Sequence, residues 1–145
     1  MGTDFNKAFE FVIRWEGYKS EDSSDPGGRT IFGISSKSHP QEVREMWNLS
    51  KDKALDQAKE IYRVEYWEAS GCNLLTEPFD MIVFDTAVNM GVSMAKSFIT
   101  DSYDWKDYLL LRASWYFAKR KQYPQFIFGW FNRVFDLWET ARRHG

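Results

Sequence analysis

The segment from Phe79 to Met90 constrains the fold most, because its apolar residues lie on nearly every side of the helix that it predicts. Pro78 stands just before it and suits the start of a helix. The polar residues within the segment are Asp80, Asp85, Thr86 and Asn89. Since a helix without a polar face must be covered by other elements, we expect this one to lie at the centre of the hydrophobic core.

One stretch of the chain lacks helical periodicity. Residues from Tyr18 to Ser38 contain proline and paired glycines, followed by the strand-like segment Thr30–Ile34, and they predict a small β-hairpin lobe. Before this stretch, residues 4–16 repeat apolar side chains at helical spacing, with Asp4 as a candidate N-cap and Gly17 as a candidate stop. The β lobe is therefore expected directly after a first helix.

The remainder of the chain reads as helical. Helices are predicted at 40–47, from the N-cap Ser50 onward, at about 105–123 and at about 124–143. This order predicts a mostly α protein of the α+β class, with a cleft between the β lobe and the helical part. A length of 145 residues suits a single domain, 1–145, with the β-containing lobe at about 17–38 and a helical C-terminal part at about 104–145.

Charge and composition exclude several classes of function. Nineteen Lys and Arg against 21 Asp and Glu give a net charge of -2, which argues against a nucleic-acid partner. One cysteine and two histidines exclude a disulfide framework and the usual zinc signatures, so we expect no metal and no cofactor. The charged N-terminal segment predicts neither a signal peptide nor insertion into a membrane. We expect a monomer that is made in the cytoplasm.

Glu16 is the strongest candidate for a catalytic residue. It ends the first predicted helix on the apolar face, where burial and the negative end of the helix dipole both favour the protonated carboxyl. A protonated carboxyl is what general-acid catalysis requires. The alternative is a side chain that turns outward at a frayed helix end.

Asp25 and Thr30 are candidates to act with Glu16. The turn-rich stretch after Glu16 can fold back and bring the Asp25 carboxyl opposite it, and glycosidases use two carboxyl groups in this way. Thr30 carries a hydroxyl that could share a water molecule with Asp25. The alternatives are a turn aspartate before Pro26 and an ordinary threonine in a strand.

These residues carry a resemblance to a known family. The pattern consists of Glu16-Gly17, Asp25-Pro26-Gly27-Gly28, Thr30 and Gly33-Ile34, and it continues through Phe84-Asp85, Asn89, Gly91, Gly129-Trp130 and Asn132-Arg133. It resembles glycoside hydrolase family 108, the phage and bacterial N-acetylmuramidases of the lysozyme superfamily. The resemblance implies a lysozyme-like fold, Glu16 as catalytic acid, and Asp25 and Thr30 as the residues that position the attacking water. Tyr18 and Lys19 depart from the family pattern, which has a second glycine and an aromatic residue there.

Three further residues are candidates to bind substrate. Asp85 and Asn89 are four positions apart on one helix face and could hydrogen-bond a sugar, or could instead form a buried polar pair that fixes helix packing. Arg133 could pair with Glu16 or contact sugar substituents, and its alternative is a solvated arginine. An aromatic content of 18% also suggests that some rings line a groove for a ring-shaped ligand such as a sugar.

The leading hypothesis is a peptidoglycan hydrolase that cleaves the β-1,4 bond between N-acetylmuramic acid and N-acetylglucosamine. The alternatives are a lytic transglycosylase and a catalytically silent wall-binding or virion structural protein. The resemblance suggests a phage or prophage endolysin that reaches the bacterial cell wall in the periplasm, either after release by a holin-type partner or by delivery in a virion or secretion machine.

Overall fold

The structure is a computed structural model that describes residues 5–22 and 28–143. Within these residues lie seven α-helices and one three-stranded antiparallel sheet. In chain order the elements are α1 Phe5–Glu16, β1 Lys19–Glu21, β2 Arg29–Ile31, β3 Ile34–Ser35, α2 Pro40–Trp47, α3 Lys51–Tyr62, α4 Phe79–Met90, α5 Val92–Thr100, α6 Trp105–Ala118 and α7 Pro124–Arg142. The predicted α+β class, with a small β element after the first helix, is confirmed.

Several predicted boundaries are confirmed by local geometry. Gly17 follows α1 with a φ of +74°, and its N–H donates to the carbonyl oxygen of Ile13, so it ends the helix as predicted. Ser50 caps α3, since its side chain accepts a hydrogen bond from the backbone N–H of Lys53. The candidate N-cap Asp4 lies outside the described residues.

Four features differ from the sequence-based expectations. The strand-like segment Thr30–Ile34 is interrupted, because β2 ends at Ile31 and a turn separates it from β3. Helix α5, Val92–Thr100, was not predicted. Helix α6 ends at Ala118, five residues before the predicted end at about 123. A π-helical segment, Arg63–Glu68, also extends α3.

The chain divides into two compact units. The first unit is Phe9–Glu65, and it contains the sheet, α2, α3 and most of α1. In the sheet, the central strand β2 pairs with β1 in the register Ser20↔Thr30 and with β3 in the register Thr30↔Ser35. The predicted β-containing lobe, about 17–38, falls inside this unit.

The second unit is built around α4. It comprises the remaining residues, from Tyr66 onward together with the start of the chain. Every residue from Asp80 to Ala87 is buried, and α4 packs against α5, α6 and α7. The prediction of a central buried helix is therefore confirmed. No helix in the described part of the chain is both long and apolar enough to span a membrane.

A buried ion cluster joins three helices of the second unit. The carboxylate of Asp85 on α4 accepts hydrogen bonds from Nη1 of Arg112 on α6, at 2.8 Å, and from Nε and Nη2 of Arg133 on α7, at 3.0 and 2.8 Å. Burial would by itself raise the pKa of Asp85, but the charges of Arg112 and Arg133 outweigh it and hold this pKa below its usual range. The cluster therefore contains an ionised carboxylate and two guanidinium groups.

We expect Asp85→Asn to destabilise the second unit strongly. The substitution removes the carboxylate that pairs with both Arg112 and Arg133 inside the core, and breaking a buried ion pair costs about 3–5 kcal/mol in comparable cases. Because the pKa of Asp85 is lower when folded, its ion pairs add stability above the unfolded pKa of about 3.9 and lose it as the pH falls through the folded value.

The measurement is urea unfolding of the wild type and variant between pH 7 and pH 2. The free energy of unfolding should fall less steeply with acid in Asp85→Asn than in the wild type. The exposed Asp101, changed to Asn, is the matched control and should retain the wild-type profile. An Asp85→Asn protein as stable as this control at pH 7 would contradict the account.

Candidate active site

Glu16 is the last residue of α1 and is half-buried. The helix positions it because Phe9 and Val12 are buried on the face that packs into the first unit, and Glu16 follows on the same face. Gly17, which follows the helix with a positive φ, then changes the direction of the chain. The carboxyl group is thus held at a helix C-terminus, as the sequence analysis expected.

The turn between β2 and β3 faces this carboxyl group. Ile31 pairs with Ile34, so Phe32 and Gly33 form a two-residue hairpin turn, and both have positive φ values, +50° and +80°. Two-residue hairpin turns with positive φ at both positions match the twist of the flanking strands. Glycine adopts this conformation readily, whereas phenylalanine does so only when other contacts hold it.

Contacts to the backbone and ring hold Phe32 in place. Its carbonyl oxygen accepts a 2.6 Å hydrogen bond from the hydroxyl of Tyr62 on α3, and its N–H donates to the carbonyl oxygen of Tyr18 at 2.7 Å. Its ring lies 5.0 Å from the ring of Tyr18, centroid to centroid. These contacts fix the turn against α3 and the residues that follow Glu16.

Gly33 leaves no room for a side chain. A Cβ atom at this position would lie 2.7 Å from Oε2 of Glu16 and 2.7 Å from the hydroxyl of Tyr62, closer than real Cβ atoms approach such groups. The backbone of the turn therefore packs directly against the Glu16 carboxyl group. The sequence analysis did not identify Tyr62 as a site residue, but the structure places its hydroxyl beside this site.

Of the other two predicted catalytic residues, the structure describes Thr30 but not Asp25. Thr30 occupies the middle of the central strand β2, where it is half-buried. Asp25 lies outside the described residues. The roles of Asp25 and Thr30 in positioning water stay predictions.

A pocket of about 340 Å³ lies beside the end of α1. Its lining consists of Ile13, Gly17, Tyr18, Phe32, Lys51 and Leu55. The pocket is mainly apolar, with one ammonium group from α3. Its volume falls in the roughly 300–1,000 Å³ range of small-molecule sites.

The three predicted substrate-binding residues lie in the second unit. Asp85 is fully buried within its ion cluster, so it offers no surface to a sugar, and the alternative of a buried group that fixes helix packing fits it. Arg133 is 6% exposed and binds Asp85, so it is not a solvated arginine. The predicted pairing of Arg133 with Glu16 stays a prediction. Asn89 is half-buried and lines a separate pocket.

Cys72 is not a candidate nucleophile. The Cys72 thiol is buried, and this burial, reinforced by the charge of Asp80, raises the pKa of the thiol. A thiol of raised pKa is a poor nucleophile. Among the described residues, no group of three or more His, Cys, Asp or Glu side chains is placed to hold a metal ion.

Comparison with known proteins relates this site and fold to a family. The family model of glycosyl hydrolase 108 matches residues 9–91, which is more than half of the chain. The solved structure of SagA from Brucella abortus is similar, with a TM-score of 0.75 and 23% identity, over 96% of this chain and 94% of that chain. No curated protein matches the sequence significantly.

The family match defines a glycoside hydrolase, and the structure has a lysozyme-like α+β fold. The chain belongs to glycosyl hydrolase family 108. The family match covers Glu16 and the hairpin turn that faces it, whereas the similarity to SagA bears on the fold alone. The family points to peptidoglycan as the kind of substrate.

We expect Gly33→Ala to lower activity by at least about 100-fold, because its methyl group displaces the Glu16 carboxyl or the Tyr62 hydroxyl. Gly71→Ala is the matched control, since Gly71 has a similar φ of +73° but nothing within 4 Å of an added Cβ. Both variants should lose roughly 1–2 kcal/mol of stability from the left-handed backbone. Rates of peptidoglycan hydrolysis, measured on folded protein, should fall only in Gly33→Ala. Equal activities in the two variants would show that the close approach at Gly33 does not matter.

Proposed function

We propose that this protein is an N-acetylmuramidase that hydrolyses the β-1,4 bond between N-acetylmuramic acid and N-acetylglucosamine in bacterial cell walls. The observation that carries the proposal is the Glu16 carboxyl group, held at a helix end against the side-chain-free turn at Gly33. A carboxyl packed against backbone and half-buried is placed to donate a proton to a bound glycan. Membership of the family supports a glycan as substrate.

The proposed mechanism is a single displacement. Glu16 protonates the glycosidic oxygen, and the bond from this oxygen to the anomeric carbon breaks. Water attacks the same carbon from the opposite face and forms the new C–O bond, and its proton passes to the carboxylate of Asp25. Thr30 helps to hold this water. At this point Glu16 is ionised and Asp25 is protonated. Asp25 releases its proton to solvent, and Glu16 takes one up from solvent before the next cycle.

Delivery and partners belong to the same proposal. The substrate is the glycan strand of peptidoglycan, which lies outside the cytoplasmic membrane. A protein made in the cytoplasm then needs a route across that membrane, either a pore formed by a holin-type partner or delivery in a virion or secretion machine. We propose that the protein acts as a monomer, without a cofactor.

Glu16→Gln should reduce the rate of wall lysis by about 100-fold or more, since it removes the transferable proton while changing the side-chain shape little. The assay is clearance of purified peptidoglycan by the wild type and the variant. Glu10→Gln is the control, because Glu10 lies on the exposed side of the same helix. A Glu16→Gln rate within a few-fold of the wild type would remove Glu16 from the mechanism, and a wild type that fails to clear the wall would favour the silent wall-binding alternative.

A single displacement should invert the configuration at the anomeric carbon. We expect NMR spectra recorded in the first minutes of hydrolysis to show the α-anomer of the new reducing end before mutarotation. The β-anomer as first product would indicate retention, and Asp25 would then be assigned as a nucleophile instead of a group that holds water.

A further inference from the structure

A second pocket, of about 210 Å³, lies in the second unit and is lined by residues of α4, α5, α6 and α7. Its lining consists of Asn89, Met90, Met94, Trp115, Tyr116 and Trp130. Only the first two of these residues fall inside the family match. The pocket is smaller than the roughly 300–1,000 Å³ typical of sites that enclose a whole drug-sized ligand. It is of a size to hold part of a larger molecule.

Hydrogen bonds from the buried ion cluster fix the amide of Asn89. The guanidinium of Arg112 can only donate, and its Nε donates to the hydroxyl oxygen of Tyr116 at 3.0 Å. The hydroxyl hydrogen of Tyr116 is therefore available to Asn89, whose Oδ1 accepts it. Since the amide oxygen is engaged in this way, Nδ2 is left as the donor of Asn89. Among the described residues, Nδ2 has no hydrogen-bond partner.

Aromatic rings form the walls of this pocket. The rings of Trp115 and Trp130 lie 6.1 Å apart at 60°, and Tyr116 stacks on Trp130 with centroids 4.8 Å apart and an angle of 18°. Tyr116, which is hydrogen-bonded to Arg112 of the ion cluster, therefore packs against the indole of Trp130 and holds it in place. Indole faces pack well against the C–H groups of sugar rings, which are apolar in patches.

We propose that this pocket is a subsite that binds one N-acetylhexosamine unit of the glycan through its acetamido group. The Asn89 Nδ2 donates to the acetamido carbonyl oxygen, the acetamido methyl packs against Met90 and Met94, and the sugar ring packs on an indole. An acetamido group has a carbonyl oxygen that accepts a hydrogen bond and a methyl group that is apolar. The amide donor of Asn89 suits the first, and the flexible apolar side chains of the methionines suit the second. The inference rests on the proposed function, because it assumes a glycan substrate.

The test uses Asn89→Asp in a Glu16→Gln background, in which the oligosaccharide stays intact. Aspartate keeps an oxygen to accept from Tyr116 but removes the donor, so the change acts on the ligand more than on the cluster. Binding of N-acetylglucosamine oligomers, followed by tryptophan fluorescence, should weaken roughly 3- to 10-fold. Asn73→Asp, at an exposed position in the same unit, makes the same chemical change and should bind as the parent does.

A second measurement uses the parent protein alone. Oligomers of glucosamine, which lack the acetyl group, should bind much more weakly, and saturation-transfer NMR should show the acetamido methyl among the protons closest to the protein. Equal binding of the two oligomers, no binding of either, or an Asn89→Asp protein that binds like the Asn73→Asp control would overturn the subsite. Failure of the proposed function is distinguishable, since it shows instead as wild-type protein that does not clear peptidoglycan.

Discussion

The candidate active site depends on the absence of a side chain at Gly33. The hairpin turn approaches Glu16 and Tyr62 so closely that a single added carbon atom would lie 2.7 Å from an oxygen of each residue. Three elements converge at this point: the end of α1, the β2–β3 turn, and the end of α3. The backbone of the turn therefore limits where the carboxyl group of the candidate acid can lie. An acid held in this way is placed before substrate arrives.

In the second unit, the buried charges perform a different task. Asp85 binds arginines from α6 and α7, and so holds α4, α6 and α7 together. Arg112 also reaches Tyr116, and Tyr116 reaches Asn89, so the same cluster orients a group that lines a pocket. A core ion cluster and a surface-facing amide thus belong to one hydrogen-bond network. The hydrogen bond from Tyr116 fixes which end of the Asn89 amide faces the cluster, and so sets the orientation of the proposed binding group.

The sequence predicted the elements better than it predicted the contacts between them. The all-round apolar segment 79–90 identified the central helix, because its pattern reports burial directly. Helix α5 was missed, since it follows α4 after a single glycine and the break is hard to see in the pattern. The segment Thr30–Ile34 was predicted as one strand, although Gly33 within it is the kind of residue that marks a turn or a close approach.

Side-chain partners at long range could not be read from the sequence. The spacing of Asp85 and Asn89 predicted that they share a helix face. Whether this face binds a sugar or packs against arginines depends on α6 and α7, which follow much later in the chain. Tyr62 likewise was not identified as a site residue, and only the fold brings its hydroxyl to the Phe32 carbonyl. The position of Glu16 at the end of α1 could be predicted, because the helical spacing of apolar residues and the glycine that follows define it locally. Its catalytic role stays a prediction.

The proposed cleavage of one kind of bond in peptidoglycan is tested most directly by the ends of the products. Purified cell walls are digested, reduced with borohydride, and the fragments are analysed by mass spectrometry. Hydrolysis by an N-acetylmuramidase predicts reduced N-acetylmuramic acid at every new reducing end. Reduced N-acetylglucosamine at the new ends, or anhydro-muramyl ends as a lytic transglycosylase leaves, would contradict the central claim.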